Sequence, residues 1–171
     1  MAYSASDGIL YVPVVDVFTD FTPTALDFST FNPANGKGEL VALDVNTGNV
    51  LWNASLATIN VGSATVVNDV VFTATYDGTI YGFTSRTGQQ VFSYKAPAGI
   101  NGWPAVAGDT VVWPAGVGVN ASVIALRVTQ TRVINVHLFG TASGGWGLRR
   151  RDCVSRASGY RYPNQGAWER N

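Results

Sequence analysis

The chain has very few of the side chains that most often carry catalytic or metal chemistry. Its 171 residues include one histidine, one cysteine and one methionine. Cys153 has no second cysteine to pair with inside the chain, so it does not indicate a redox compartment. His137 has no serine or cysteine with an orienting acid in a motif beside it, which favours an ordinary surface or tail residue over a catalytic one.

Long apolar runs are also missing. No stretch approaches the roughly 18 uninterrupted apolar residues of a transmembrane helix, and Met1–Ser4 lacks the basic and apolar regions of a signal peptide. A disordered polypeptide is excluded, because 46% of the residues are hydrophobic and 12% are aromatic. The 19 glycines are typical of many short strands joined by tight turns.

Lysine is absent from residues 127–171, and this absence marks a division in the charge of the chain. Residues 1–126 have nine acidic and three basic side chains, whereas residues 127–171 have eight arginines and two acids. The formal net charge of zero therefore combines an acidic part with a basic part. We expect a domain over residues 1–126 and an atypical, arginine-rich tail over residues 127–171.

The sequence contains an internal repeat of 40 residues. Residues 38–52 align without a gap with residues 78–92, and residues 63–72 align with residues 103–112 at the same displacement. Two separate segments that share one displacement indicate a repeated structural unit. The complete unit has β-branched and aromatic residues over four predicted strands, at 64–67, 70–74, 79–84 and 90–94.

Turn residues separate these predicted strands. Asn68-Asp69, Asp77-Gly78 and Thr87-Gly88 are of types that tolerate positive φ or stabilise turns. Four antiparallel strands per repeat of about 40 residues is the pattern of a β-propeller blade. We therefore predict an all-β fold, a partial β-propeller of four-stranded antiparallel blades with a non-propeller tail, and blade boundaries near residues 62 and 102.

Partial units flank the complete one. The earlier unit has predicted strands at Ile9–Val15 and Glu39–Asp44, separated by the long loop Asp16–Gly36, and a loop of that length is usually functional or covers one face. The later unit has three predicted strands, at Pro104–Ala107, Thr110–Pro114 and Ser122–Leu126.

A spaced motif in the first unit carries a family resemblance. Its residues are Ala42, Asp44, Thr47, Gly48 and Trp52. This pattern is very similar to the tryptophan-docking motif of pyrroloquinoline quinone (PQQ) propellers, and a weaker second copy has Thr87, Gly88 and Phe92. We expect the Thr-Gly turn to supply a positive φ, the aspartate to accept hydrogen bonds from the turn, and the aromatic residue to wedge between adjacent blades.

The resemblance covers residues 8–126 and follows the order of the last blades of quinoprotein alcohol dehydrogenases. It implies an eight-bladed, extracytoplasmic enzyme that holds PQQ with a calcium or lanthanide ion on the propeller axis. About three of those eight blades are present, so we expect a C-terminal piece of a longer propeller. The family's metal-binding acid, asparagine ligand and catalytic aspartate come from earlier blades. We expect no cofactor or metal bound by this piece alone, and oxidoreductase activity only in the full-length protein.

Four residues are candidates for the axial face that would meet a quinone, sugar or alcohol: Asp16, Asn60, Asn101 and Trp103. Asn60-Val61-Gly62 stands where the family commonly has Trp-Gly-Gly, so the indole platform is missing at Asn60. For Asp16, Asn101 and Trp103, packing within loops is the alternative interpretation.

Two further signals favour structural interpretations. Gly116, Gly118 and Ala121 have the spacing of a dinucleotide loop, but the β repeat continues after them in place of the required helix. The run Arg149–Arg151 has no aromatic platform or recognition fold beside it, so a solvated charge run is favoured over a nucleic-acid contact.

The repeat stops after Leu126. Arg127 stands in the place of Asp44, and Asn135 in the place of Trp52. The sequence beyond has no period of 2 or 3.6, which indicates a frameshift, a gene-prediction error or a fused end. Val133–His137 can still add a strand to the last blade, and we expect the rest to be poorly ordered.

Three functions stay open. The leading hypothesis is a piece of a PQQ-dependent alcohol or sugar dehydrogenase that is inactive on its own. The second is a non-catalytic propeller scaffold for a protein partner, as in the outer-membrane assembly lipoprotein of the same superfamily. The third is a carbohydrate-binding propeller whose loop Asp16–Gly36 grips the ligand. Open blade edges predict contact with remaining blades or self-association.

Overall fold

The computed structural model of the protein describes residues 1–18, 20–22, 25–27, 31–129, 132–142 and 145–149. These ranges contain β-strands and one short 3-10 turn at Pro33–Asn35, and no α-helix occurs within them. The strands are, in chain order, β1 Ala2–Ser4, β2 Ile9–Asp16, β3 Asp20–Thr22, β4 Ala25–Asp27, β5 Lys37–Asp44, β6 Val50–Leu56, β7 Ala64–Val67, β8 Val70–Ala74, β9 Thr79–Thr84, β10 Gln90–Lys95, β11 Ala105–Ala107, β12 Thr110–Ala115, β13 Ser122–Thr129, β14 Arg132–Ala142 and β15 Gly145–Arg149.

Apart from the β3–β4 hairpin, these strands form three antiparallel sheets, each of which is one propeller blade. The first blade has the order β1-β2-β5-β6, the second β7-β8-β9-β10 and the third β11-β12-β13-β14-β15. The chain passes from the last strand of one blade to the first strand of the next. It does so between Leu56 and Ala64 and between Lys95 and Ala105. The all-β partial propeller is confirmed.

The first blade is more complete than its sequence indicated. Its innermost strand, β1, pairs residue by residue with β2, from Ala2 opposite Tyr11 to Ser4 opposite Ile9. A strand of three residues is too short to display alternation, which is why the pattern did not reveal it. The long loop after β2 contains the hairpin β3–β4, with Phe21 opposite Leu26.

The third blade continues past Leu126. β13 runs to Thr129, and β14 contains the segment Val133–His137, which was predicted to add a strand. β15 pairs with the outer side of β14, with Gly140 opposite Gly147. Residues 150–171 of the predicted tail lie outside the described residues.

Two apolar clusters join the blades side by side. One lies between the first and second blades and contains Ile9, Tyr11, Leu40, Ala42, Leu56, Ala64, Val71 and Phe83. The other lies between the second and third blades and contains, among others, Val70, Phe72, Ile80, Ile100, Val111, Trp113, Ile124 and Leu126. The middle blade therefore contributes alternate residues of β8 to the two clusters, as expected for a strand whose side chains point to opposite faces.

One backbone hydrogen bond recurs in every blade. The N–H groups of Val45, Ser85 and Val128 donate to the carbonyls of Gly8, Asp69 and Asp109, respectively. Each bond ties the end of the third strand, or the residue directly after it, to the turn after the first strand. This recurrence defines which residues of the three blades are equivalent, independently of the sequence alignment.

Candidate functional site

The turn between β5 and β6 is closed by Asp44. Its Oδ1 accepts hydrogen bonds from the backbone N–H groups of Asn46 and Thr47, each at 2.9 Å, and from the Thr47 hydroxyl at 3.1 Å. The Thr47 N–H is the main cause that lowers the pKa of Asp44, since it stabilises the carboxylate. Gly48 has a φ of +73°, which glycine adopts without strain.

Trp52 connects the first blade to the second. Its indole Nε1 donates to the carbonyl oxygen of Ser85 at 2.9 Å, and the phenol of Tyr11 donates to the same oxygen at 3.1 Å. The indole ring covers Gly88, where a Cβ atom would lie only 2.6 Å from the ring. Trp52 is therefore docked on the Thr87-Gly88 turn of the next blade, where any larger residue would displace it.

A charged pair lies beside this contact. Arg86 Nη2 is 2.6 Å from Asp7 Oδ1, which joins the second blade to the β1–β2 turn of the first. The Asp7 side chain is 8% exposed, and the Arg86 side chain is 75% exposed. We refer to Tyr11, Trp52, Ser85 and the Asp7–Arg86 pair as the polar latch.

The second junction lacks the donors of the polar latch. The positions equivalent to Tyr11 and Trp52 are held by Phe72 and Phe92, whose rings are 6.2 Å apart in an edge-to-face arrangement. Phenylalanine has no donor for the equivalent carbonyl of Val128. An open cleft of about 490 Å³ lies there, lined by Asn68, Asp69, Asp109, Val128 and Thr129.

Strand register corrects one assignment in the third blade. Trp52 pairs with Ala42 and Phe92 with Gly82, whereas the equivalent Ala125 pairs with His137. His137, and not Asn135, therefore stands at the docking position of the third blade. The gapless alignment was wrong by two residues because β13 extends to Thr129 and the hairpin is longer.

Of the axial candidates, Asn60 is the most buried, at 2% exposure. Its Nδ2 donates to the Thr73 hydroxyl at 2.9 Å, and that hydroxyl lies 3.0 Å from the carbonyl of Ser63. Asn60 also packs under β5, because a Cβ on Gly38 would lie 2.8 Å from the Asn60 backbone nitrogen. Asn60 is therefore a buried residue whose amide is held by a hydrogen bond within the protein.

The other three candidates are exposed to solvent. Asp16 ends β2 opposite Lys37, and Asn101 lies in the connection that leads to β11. Trp103 follows in the same connection, and its side chain is 76% exposed. An open cleft of about 380 Å³ lies beside Trp103 and is also lined by Met1, Gly62, Ser63 and Ala64. The structure thus brings Trp103 close to the Gly62–Ala64 segment, whereas Asn60 is bonded to Thr73.

The sequence did not indicate Tyr11, Ser85, Asp7 or Arg86 as junction residues. Ser85 acts through its backbone carbonyl, which has no sequence signature. Arg86 directly precedes the Thr87-Gly88 turn, and this adjacency is the only local signal that could have suggested it.

Two further ion pairs tie turns within single blades. Asp109 Oδ2 is 2.8 Å from Arg127 Nε, and the Arg127 guanidinium is the main cause that lowers the pKa of Asp109. Burial acts to raise the pKa of Asp77, but the Lys95 ammonium, the Thr75 hydroxyl and the Thr79 N–H together lower it. Arg127 stands at the position equivalent to Asp44, and its ion-pair partner is Asp109.

The described residues do not fit a metal–quinone centre by themselves. Within them, no group of three or more His, Cys, Asp or Glu side chains is arranged to hold a metal ion. PQQ is a planar tricarboxylic acid, and the cleft beside Trp103 has an indole but no lysine or arginine side chain to bind carboxylates. No step of a quinone reaction can therefore be derived from this part of the chain. Nor does the described part contain a helix long and apolar enough to cross a bilayer.

The chain is similar to several known proteins. It is 28% identical over 116 residues to the lanthanide-dependent methanol dehydrogenase of Methylorubrum extorquens, covering 59% of this chain and 19% of that protein. It is 27% identical over 117 residues to the quinoprotein alcohol dehydrogenase PedH of Pseudomonas putida, covering 61% and 20%. The chain thus spans about one fifth of the length of these relatives.

A solved structure shares the fold. The quinohemoprotein alcohol dehydrogenase ADHIIG of Pseudomonas putida HK5 matches with a TM-score of 0.51 and 20% identity, over 68% of this chain and 21% of that one. A sequence model of the family described as outer membrane protein assembly factor BamB matches residues 22–150, which is more than half of the chain. The chain therefore belongs to this family of PQQ-type propeller repeats.

Proposed function

We propose that these blades are part of a larger propeller in an extracytoplasmic, PQQ-dependent dehydrogenase of alcohols or sugars, and that they are inactive on their own. The observation that most strongly supports a larger propeller is the difference in burial between the second strands of the three blades. β8, in the middle blade, is buried at every residue, whereas β2 and β12 are fully buried only at alternate positions of one face. The outer two blades therefore each have one face built for a neighbour.

Exposed apolar side chains on the outer blades agree with this proposal. Tyr3 on β1 is 54% exposed and Val106 on β11 is 44% exposed, although both strands are the innermost of their blades. Apolar residues at such positions pack against neighbouring blades or line the axis in a closed propeller. The remaining blades are thus the expected partners, and self-association through the same edges is expected when they are missing.

The similarity to dehydrogenases is the reason for proposing an oxidoreductase reaction. The two named relatives are quinoprotein or lanthanide-dependent enzymes, matched along one fifth of their length. In the whole protein, a quinone cofactor held by other blades would supply the oxidising chemistry, and the blades described here would hold neighbouring blades and the Trp103 surface in place. The metal ligands and the base belong to other blades in this proposal.

A non-catalytic scaffold is the second candidate. It is favoured by the match to the family model described as outer membrane protein assembly factor BamB and by the bonding of Asn60 to Thr73 within its blade. Its partner would be another protein that contacts open strand edges or turns.

Two measurements separate these candidates. The first is to extend the coding sequence on both sides and search it for further 40-residue repeats with acidic and asparagine ligands; repeats without those ligands would support the scaffold. The second is to mix the purified chain with PQQ and either Ca²⁺ or La³⁺ and to follow dye reduction with methanol, ethanol and glucose. We expect no reduction, and turnover by the isolated chain would contradict the proposal that it is inactive.

A further inference from the structure

Two Asn-Gly dipeptides occur in the chain, at Asn35-Gly36 and Asn101-Gly102. Asparagine is a thermolabile residue, because the backbone nitrogen of the next residue can attack its side-chain amide carbon. Glycine favours this attack, since it has no Cβ to hinder the approach and its backbone rotates freely. The two dipeptides are therefore similarly reactive by sequence, and the fold determines which of them reacts.

The first dipeptide is held by its own backbone. The Gly36 N–H donates to the Pro33 carbonyl at 3.4 Å, and the Asn35 N–H donates to the Asn32 carbonyl at 3.1 Å. Gly36 is buried, and a Cβ there would overlap the Ile59 side chain. The nitrogen that would attack Asn35 is thus hydrogen-bonded, in a segment that is too closely packed to rotate.

The second dipeptide lacks these restraints. It lies in the connection between β10 and β11, outside any strand, and the Asn101 side chain is exposed. Within the described part of the chain, neither the Asn101 amide nor the Gly102 N–H has a hydrogen-bond partner. The attacking nitrogen and the carbon that it attacks are therefore both free of competing bonds.

The connection is nevertheless anchored on both sides of Asn101. Gly99 and Val117 exchange two backbone hydrogen bonds, at 2.9 and 3.0 Å. On the other side, the Gly102 carbonyl accepts the indole N–H of Trp113 at 3.1 Å. These contacts leave the peptide group between Asn101 and Gly102 unbonded, so the rotation that brings the nitrogen to the amide carbon is local and needs no unfolding of a strand.

We propose that Asn101 is a modification site that converts spontaneously into aspartate and isoaspartate. The Gly102 nitrogen loses its proton to base and forms a bond to Cγ of Asn101, and the bond from Cγ to Nδ2 breaks with release of ammonia. Water then opens the resulting succinimide ring. Opening at the side-chain carbonyl gives aspartate, and opening at the backbone carbonyl gives isoaspartate. The net reaction consumes water and releases ammonia, and it needs no oxidant or reductant.

The modification changes the surface beside Trp103, which directly follows Gly102 and is 76% exposed. Either product places a carboxylate two residues before this ring. Isoaspartate also adds a methylene group to the backbone of the anchored connection. The surface beside Trp103 therefore gains a negative charge, which repels anionic ligands such as carboxylates. This inference goes beyond the proposed function, because it requires neither a cofactor nor further blades.

The test is incubation of the folded chain in mildly alkaline buffer, followed by trypsin digestion and tandem mass spectrometry. Lys37 and Lys95 place the two dipeptides in separate tryptic peptides. The mass increase that accompanies replacement of an amide by a carboxylic acid measures the reaction, and enzymatic methylation with S-adenosylmethionine identifies isoaspartate. We expect Asn101 to react about tenfold faster than Asn35, which corresponds to roughly 1.4 kcal/mol, the scale of the hydrogen bond that Asn35-Gly36 must first lose.

The same incubation in concentrated urea is the control for structure. Unfolding removes the restraints on Asn35-Gly36, so both dipeptides should then react at similar rates. Asn101→Gln should remove the reaction from its peptide, because the larger ring that glutamine would form closes more slowly. Asn35→Gln is the matched control and should leave the rate at Asn101 unchanged. Both side chains are exposed, so we expect both variants to fold.

Equal rates at the two dipeptides in the folded chain, or a faster reaction at Asn35, would overturn the proposal. Protection of Asn101 in the folded chain together with reaction in urea would also overturn it. If a variant does not fold, the comparison of the two dipeptides within the unaltered chain decides the question. None of these results depends on further repeats in the coding sequence or on dye reduction, so failure here is distinct from failure of the dehydrogenase proposal.

Discussion

The indole of Trp52, at the outer strand of the first blade, donates to the carbonyl oxygen of Ser85 in the second blade at 2.9 Å. Tyr11 donates to the same oxygen at 3.1 Å. A carbonyl has two lone pairs, so one buried acceptor holds two side chains of the neighbouring blade. This shared acceptor makes the first junction different from the second, where Phe72 and Phe92 stand at the donor positions.

The shared acceptor predicts a non-additive double mutant. Tyr11→Phe and Trp52→Phe should each lower the free energy of unfolding by about 1 kcal/mol, with a larger loss for Trp52→Phe because it also removes ring contacts. The double variant should lose more than the sum, because the Ser85 carbonyl is then buried without either donor. Urea unfolding measures all three, and Tyr3→Phe is the control, since Tyr3 is 54% exposed. Strictly additive losses would show that the carbonyl is not shared.

Alkaline pH should weaken the same junction. Burial raises the pKa of Tyr11, and the phenol keeps its proton to donate to Ser85. Since the folded-state pKa is raised above the unfolded value of about 10, its contribution is complete below that pH and is lost as the pH rises through the folded value. The free energy of unfolding between pH 8 and 11 should therefore fall more steeply for the unaltered chain than for Tyr11→Phe. Identical slopes would contradict this assignment.

Acid should destabilise the β5–β6 turn by protonating Asp44. Hydrogen bonds from Thr47 and Asn46 lower the pKa of Asp44, so its contribution is present above the unfolded value of about 3.9 and is lost as the pH falls through the folded value. Asp44→Asn should flatten the loss of stability on acidification, measured by unfolding between pH 6 and 2. Thr47→Val, which removes only the hydroxyl donor, should have an intermediate effect. An unchanged acid limb in Asp44→Asn would exclude the proposed role.

The repeat made much of this architecture predictable. The 40-residue displacement, the Thr-Gly turns and the alternating apolar residues specify strands, turns and the stacking of blades, because each depends on local side-chain chemistry. The strands predicted at 64–67, 70–74 and 79–84 coincide with β7, β8 and β9.

The remaining features depend on information that local sequence does not carry. β1 has three residues, which is too few for a period, and β13–β14 has no glycine turn to fix its hairpin length, so the register was misjudged by two residues at His137. The acceptor at Ser85 is a backbone atom, and its partners are 33 and 74 residues away in the sequence. Contacts of this kind follow from the stacked blades and not from a motif.

Asn60 should have a structural role that depends on Thr73. Thr73→Val leaves the Asn60 amide and the Ser63 carbonyl without the hydroxyl, so we expect a loss of about 1–3 kcal/mol in the free energy of unfolding. Asn60→Leu should cost less, because the Thr73 hydroxyl keeps the Ser63 carbonyl as acceptor at 3.0 Å.

The double variant Asn60→Leu with Thr73→Val separates bonding from packing. It should recover part of the loss seen in Thr73→Val, since the buried amide is then removed together with its partner. Thermal and urea unfolding of the three variants provide the ranking. A larger loss for Asn60→Leu than for Thr73→Val would indicate that Asn60 has another, more important contact.

The most direct test of the account is the difference between Gly88→Ala and Gly48→Ala. Both glycines have positive φ in equivalent turns, so backbone strain should cost about 1–2 kcal/mol in each variant. Only Gly88→Ala places a methyl group 2.6 Å from the Trp52 ring, and we expect it to lose a further 1–3 kcal/mol, roughly, in urea unfolding. Equal losses in the two variants would contradict the claim that the first two blades are joined by Trp52 on the Gly88 turn.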